Sequence, residues 1–386
     1  MTRRLYHDDA YLRRFDARVV ALASWKGKPA VVLDQTAFYP EAGGQLGDRG
    51  KLGNTVVVDT QETDDAIVHI IDGDAPAVGA SVTGELDWAR RRQHMAQHTA
   101  QHLLSGTLLD RARAPTASAR LGESALTIDV ARDRIPDAEL AAAEELANDL
   151  IDDDLAIRAW FPSAEELASL VLRRDPKVSA DIRVVAIGDF DFSPCGGTHC
   201  DRTSQLGTIR ITNSERYKGM TRVTFTAARR GRAELFARDQ VLRALASQFS
   251  CGPAEVPAAI DKLRRDAESA GTELATLKSR LAAMVIAQLG DAPRVIAAIP
   301  GDADLVRSIA AKLSAAGRDA LLAASDGEGL HVVLFRAPGS TLDCGALFKQ
   351  LAARAGGRGG GKPERAEGRL TGPVADWPGL VGELVP

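Results

Sequence analysis

Three of the chain's seven histidines, His94, His98 and His102, stand four residues apart. Four residues of α-helix turn about 400°, so the three would share one stripe with a drift of about 40° per step. Two imidazoles at i and i+4 can grip one metal ion. Far downstream lies Cys195-Gly196-Gly197-Thr198-His199-Cys200, a thiol and an imidazole four apart around two glycines that let the backbone bend tightly. Together, His-x3-His and Cys-x3-His offer four soft or borderline donors, the number that tetrahedral zinc takes. Spacing leaves two helical pairs open, His94 with His98 or His98 with His102, and leaves Cys200 as a possible further donor. Metalloprotease chemistry is excluded: it needs Glu directly after the first histidine, where this chain has Met95 or Thr99.

A second stretch, Thr36 to Gly50, carries Phe38-Tyr39-Pro40-Glu41-Ala42-Gly43-Gly44-Gln45, more glycine than a plain turn needs. Gly43 and Gly44 would allow a ligand close to the backbone. A third, Gly356 to Pro363, mixes glycines with Arg358 and Lys362 and reads as a loop whose N–H groups could wrap phosphate. Arg90-Arg91-Arg92 and Arg229-Arg230-Gly231-Arg232 are local basic patches in a chain of net charge −4, so any polyanion would be met by patches rather than by overall charge.

The elements that must position these residues fall into blocks. With 386 residues, 45% hydrophobic and 26% charged, several ordinary globular domains are expected. Residues 1–88 alternate short β-branched runs with Gly, Asp, Asn and Pro turns, predicting a β-barrel or sandwich. Asp87 to Arg113 is a strong helix with Leu103, Leu104 and Leu108 on an apolar face. Strands from Ser118 to Ala131, a helix at Asp137 to Asp152 and further strands to Ala227 predict an α+β domain over 89–230. In 231–290 apolar residues recur at heptad spacing: Val256, Ile260, Leu263, Ala267, Ala270, Leu274, Leu277, Leu281 and Met284. That seam predicts a helical hairpin or a coiled coil, and with it a homodimer through 231–386. Residues 291–386 read as a small α/β domain holding the glycine-rich loop. The fold class is α+β multidomain. Four sparse cysteines and no apolar signal core or 18-residue apolar run predict a cytoplasmic protein without a membrane partner.

These stretches resemble the editing half of alanyl-tRNA synthetase and the free-standing alanyl-tRNA editing proteins of the AlaX type, in the long form. The matching motifs are FYPEAGGQLGDRG at 38–50, HTAQHLLSG at 98–106, CGGTH at 195–199 and GGRGGGKPERAEG at 356–368. They run in family order across nearly the whole chain. The resemblance implies a hydrolase with one zinc per chain, held by His98, His102, Cys195 and His199. It also implies the substrate, tRNA for alanine carrying serine or glycine. On the same footing Thr99 and Gln45 are candidate catalytic residues, the first offering a hydroxyl and the second an amide to the aminoacyl-adenosine. Gly43, Gly44, Gly196, Gly197 and Thr198 are candidate substrate contacts. No activation domain is expected from so short a stretch before the histidine helix, so the expected reaction is editing and not charging. The rival reading is a tRNA- or protein-binding module with a structural zinc site, since four protein ligands close a tetrahedron. A zinc esterase for small molecules is a further alternative.

Overall fold

The computed structural model describes residues 2–63, 66–176, 178–325 and 329–385. It divides into two compact units, Met1–Ala244 and Leu245–Pro386.

In the first unit six strands close into a barrel: Arg14–Trp25, Lys28–Leu33, Ile67–Asp72, Thr55–Glu62, Gly50–Leu52 and Ser81–Leu86, in that order around it. Alternation along Arg14–Trp25 explains the closure. Phe15, Ala17 and Val19 point inward with Val31, Leu33, Val57 and Phe38, while the residues between them face water. Position 36 sits beside a buried histidine, His69. Its Nδ1–H donates to Val31 O (3.1 Å), so its Nε2 accepts from the Thr36 hydroxyl (2.8 Å).

The barrel hands the chain to the helix Trp88–Ala112, started by Asp87, whose carboxylate accepts from Arg90 N–H. This helix is buried nearly all round. Met95, Leu103, Leu104 and Leu108 pack into a core shared with the helix Asp137–Asp152 and with a four-stranded sheet. That sheet runs Ile209–Tyr217, Met220–Ala227, Leu126–Val130, Thr116–Leu121, all antiparallel. A separate antiparallel sheet of Ile157–Trp160, Val184–Ile187 and Asp191–Pro194 leads directly into Cys195. The helix Ala228–Gln248 follows.

The second unit opens with one long helix, Val256–Gln288, and continues as a five-stranded sheet ordered Arg294–Ala298, Asp319–Ser325, Leu330–Phe335, Arg365–Leu370, Gly357–Lys362. Successive residues of Asp319–Ser325 feed opposite cores. Leu322 meets the helix Ala303–Ala315, and Leu321 and Ala323 meet the helix Cys344–Ala355. One expectation is corrected here. The glycine run is not a phosphate-type loop: Gly357–Lys362 is an edge strand, paired residue for residue with Arg365–Leu370. Its glycines serve packing, since a Cβ at Gly359 would meet Phe348 and Gly368 at 2.6 and 2.5 Å. The seam residues Leu263, Leu274, Leu277, Leu281 and Met284 are all exposed in the single chain. No helix among the described residues is long and apolar enough to cross a membrane.

Candidate metal centre and its cavity

His98 and His102 lie one turn apart on the buried helix, with ring centroids 5.0 Å from each other. His199 comes in from the Cys195–His199 turn, 4.5 Å from His98 and 4.8 Å from His102. Cys195 Sγ stands 3.5 Å from His98 Nε2 and 3.4 Å from His199 Nε2. One donor atom from each of the four lies within 4.8 Å of the other three. Zinc bonds of about 2.0–2.3 Å would set tetrahedral edges of about 3.3–3.8 Å, and both sulfur–nitrogen separations fall in that range.

Proton bookkeeping also suits a cation. The Thr99 hydroxyl donates to Met95 O (2.9 Å), so it accepts from His199 Nδ1–H (3.1 Å) and from Cys200 N–H (3.1 Å). Gln45 spends its amide N–H on the Thr198 hydroxyl (2.8 Å), and its carbonyl accepts from His98 Nδ1–H (2.8 Å). Both histidines are therefore held in the tautomer whose Nε2 lone pair faces Cys195. His102 Nδ1 is buried with no partner among the described residues. Burial leaves all three imidazoles neutral. It lowers His98 to about 3, with Arg174 and Arg183 adding to the effect, and puts His102 and His199 well below the usual histidine range. Burial raises the Cys195 thiol, against the Gly197 N–H and the Arg183 charge. A divalent ion would reverse that last direction, because coordination deprotonates a thiol outright.

The turn itself is tightly built. Gly197 has no alternative: a Cβ there would lie 2.2 Å from the His98 ring. Arg183, at the start of the neighbouring strand, accepts Cys195 N–H on its backbone oxygen (2.9 Å). Its Nη1 donates to Cys195 O (3.1 Å) and Gly197 O (2.8 Å). His7 Nε2–H donates to the remaining carbonyl, Gly196 O (3.0 Å), and burial lowers His7 to about 4.

A cavity of about 550 Å³ opens on this centre, lined by His98, His102, Cys195, Gly196, Gly197 and, opposite, Gly43 and Gly44. Gly44 has φ +89° and lies so close to Ala119 O that a Cβ would sit 2.7 Å from it. That contact brings the Gly43–Gln45 turn to the edge of the sheet. Gln45, Thr99 and Thr198 are each wholly buried and stand behind the donors rather than on the cavity wall. His94 is outside the four-donor group, its Nδ1 3.4 Å from Leu46 O, and Cys200 is outside it as well. The basic run at 90–92 is not a surface patch throughout. Arg91 is fully buried, donating to Asp48 Oδ2 (2.8 Å) and to Ala10 O (2.8 Å), so it pins the 37–49 loop and cannot meet RNA. Sequence reasoning missed Arg183 and His7. A lone arginine before an apolar strand and a histidine in a polar N-terminus carry no spacing signal.

Residues 182–224 match the family described as threonyl and alanyl tRNA synthetase second additional domain, and residues 12–90 match tRNA synthetases class II (A). The first match contains Arg183 and the whole Cys195–His199 turn. That stretch therefore resembles a synthetase-associated additional domain, and the chain is a relative of alanyl-tRNA synthetase. It is 33% identical to alanine–tRNA ligase of Thermococcus kodakarensis, over 97% of this chain and 42% of that protein. It is 34% identical to that of Pyrobaculum neutrophilum, over 97% and 43%. The chain thus spans less than half the length of the curated relatives it matches. The C-Ala domain of Aquifex aeolicus alanyl-tRNA synthetase aligns at 17% identity and TM-score 0.22, covering 24% of this chain and 86% of that domain. That likeness is too slight to carry an argument.

Proposed function

We propose that the chain is a trans-editing hydrolase that removes serine, and glycine as a second error, from tRNA for alanine. One observation carries the reading: of four clustered donors of zinc-binding type, two with tautomers fixed from behind, three (His98, His102 and Cys195) line a cavity instead of being sealed in a core. His98, His102, Cys195 and His199 would hold one zinc ion. Bound there, zinc supplies Lewis acidity to an ester carbonyl and lowers the pKa of water.

The chain's own residues do the rest. Gln45 and Thr99 act as positioning residues, fixing the rings of His98 and His199. Gly43, which a Cβ would not crowd, leaves room for the terminal adenosine against backbone, and Gly196, equally uncrowded, leaves another part of the wall open. The test is hydrolysis of seryl-tRNA and alanyl-tRNA, both made on tRNA for alanine, by the purified full chain. Seryl ester is expected to go faster, by about tenfold or more, since a site built for a hydroxyl rejects a substrate lacking it. Equal rates, or no turnover with zinc fully bound, would favour a structural zinc module instead.

A further inference from the structure

Arg183 does more than hold a turn. It is only 7% exposed, and both carbonyl bonds of its guanidinium use one nitrogen, Nη1. Nε is buried with no partner, and none is recorded for Nη2 among the described residues. Two other arginines of the same cavity are neutralised, Arg4 by Glu62 and Arg173 by Asp191 at 2.6 Å, while Arg174, which donates to Pro194 O, is exposed to water. Arg183 has no carboxylate within ion-pair distance among the described residues. Burying a cation without a counter-ion is costly, and clamping two carbonyls does not require a full charge. Burial lowers its pKa from the ordinary arginine value, with the Cys195 sulfur, Tyr39 and Tyr6 acting the other way. Once that sulfur serves a divalent ion, the cavity floor is left net positive.

We propose that the Nη2 end of Arg183 is the anion-receiving group of this cavity, taking the charge that develops on the ester carbonyl oxygen during hydrolysis. This rests on the aminoacyl-ester reading above. In that step the water oxygen bonds to the carbonyl carbon and the π pair moves onto the carbonyl oxygen, beside Arg183. The pair then returns and expels the ribose oxygen, which takes the proton given up by water. Water's second proton passes to solvent, and the amino acid leaves as a carboxylate, still facing Arg183 Nη2. Arg183 is then a catalytic residue, its Nη2 donating first to the oxyanion and then to the carboxylate.

The experiment compares equilibrium binding of two seryl-adenosine analogues, one with an anionic phosphonate at the ester position and one with a neutral amide. Zinc content is measured on the same samples of wild type, Arg183→Gln and Arg183→Lys. Wild type should prefer the phosphonate by about 10²-fold, the scale of one oxyanion donor, and single-turnover deacylation should fall by a similar factor in Arg183→Gln. Arg183→Gln should lose the preference while binding the amide as wild type does, and Arg183→Lys should retain part of it. No phosphonate preference in wild type, or an undiminished one in Arg183→Gln, overturns the proposal. If Arg183→Gln loses its zinc, the Lys variant decides: full preference retained there makes Arg183 a clamp alone, which also overturns it. A wild type that prefers the phosphonate yet hydrolyses no aminoacyl-tRNA counts against the editing reading and leaves the anion site standing.

Discussion

Two helices of similar prominence solve opposite problems. Trp88–Ala112 buries polar side chains, and Val256–Gln288 exposes apolar ones. In the first, each buried polar group of the site except His102 Nδ1 has a named partner: Gln101 donates to Ser105, Thr99 to Met95, and His98 to Gln45. An unpaired buried amide or imidazole costs a few kcal/mol, so such a helix is kept only where the polar set is used. In the second, Leu274, Leu277 and Leu281 stand about half exposed, at 54, 52 and 45%. A row of that length is unusual for a surface that stays uncovered. The first helix is complete within its unit, while the second is read here as a surface awaiting a partner.

The sharpest way to break the first half of that contrast is to remove its donors one at a time. His102→Ala, Cys195→Ala and His199→Ala should each lose bound zinc and with it deacylation. His94→Ala should keep about one zinc per chain, because His94 lies outside the four-donor group. Gln45→Leu and Thr99→Val should fall between, weakening zinc by about 10–100-fold, the usual scale for partners that orient a ligand from behind. Metal analysis of the purified variants checks the series. Zinc lost from His94→Ala and kept in His102→Ala would mean the other histidine pair is the ligand pair.

Legibility in the sequence followed the kind of constraint. The histidine helix and the helix Asp137–Asp152 were readable because periodicity and helix-start signals are local. The four-donor set came from spacing for three of its members, His98, Cys195 and His199, and from resemblance for the choice of His102 over His94. The fate of Gly357–Lys362 was not readable. A glycine run has no side-chain pattern, and only the partner strand and the close approach of Phe348 make it a strand. Arg91 misled for a related reason. Its buried partner, Asp48, is distant in sequence, so a run of three arginines looked like one surface. The roles of Gln45 and Thr99 also depend on long-range contacts, to Thr198, His98 and His199.

A smaller effect separates the barrel from the metal centre. His69 is fully buried and held neutral, its pKa lowered to about 4 by burial, against the hydrogen bond to Val31 O. Because the folded value lies below the ordinary 6.5, the unfolded chain binds more protons between the two. Stability is therefore lost as pH falls from about 6.5 toward 4 and levels off below, by up to about 3 kcal/mol for a shift of about 2.5 pH units. His7 and His98 contribute in the same direction, so the informative quantity is wild type minus His69→Gln in urea unfolding at several pH values. A difference that does not change between pH 7 and 4.5 would mean His69 is reached by protons without unfolding.

The smallest expected change in stability, with the largest change in assembly, belongs to the exposed seam. Leu277 and Leu281 are neighbours one turn apart on Val256–Gln288, and their exposure means charge can be placed there without opening a core. Leu277→Lys with Leu281→Glu should alter unfolding free energy by under about 0.5 kcal/mol, the range of surface substitutions. The heptad spacing over Val256 to Met284 nevertheless matches what a second helix would grip, and pairing two such seams would bury the row that one chain leaves in water. Sedimentation should therefore show wild type as a dimer and the double variant as a monomer, with zinc content equal in both because the donors belong to the first unit. A wild type that sediments as a monomer at every concentration would show that a second copy is not what the seam receives. A double variant that remains dimeric would place the interface on another surface of the chain.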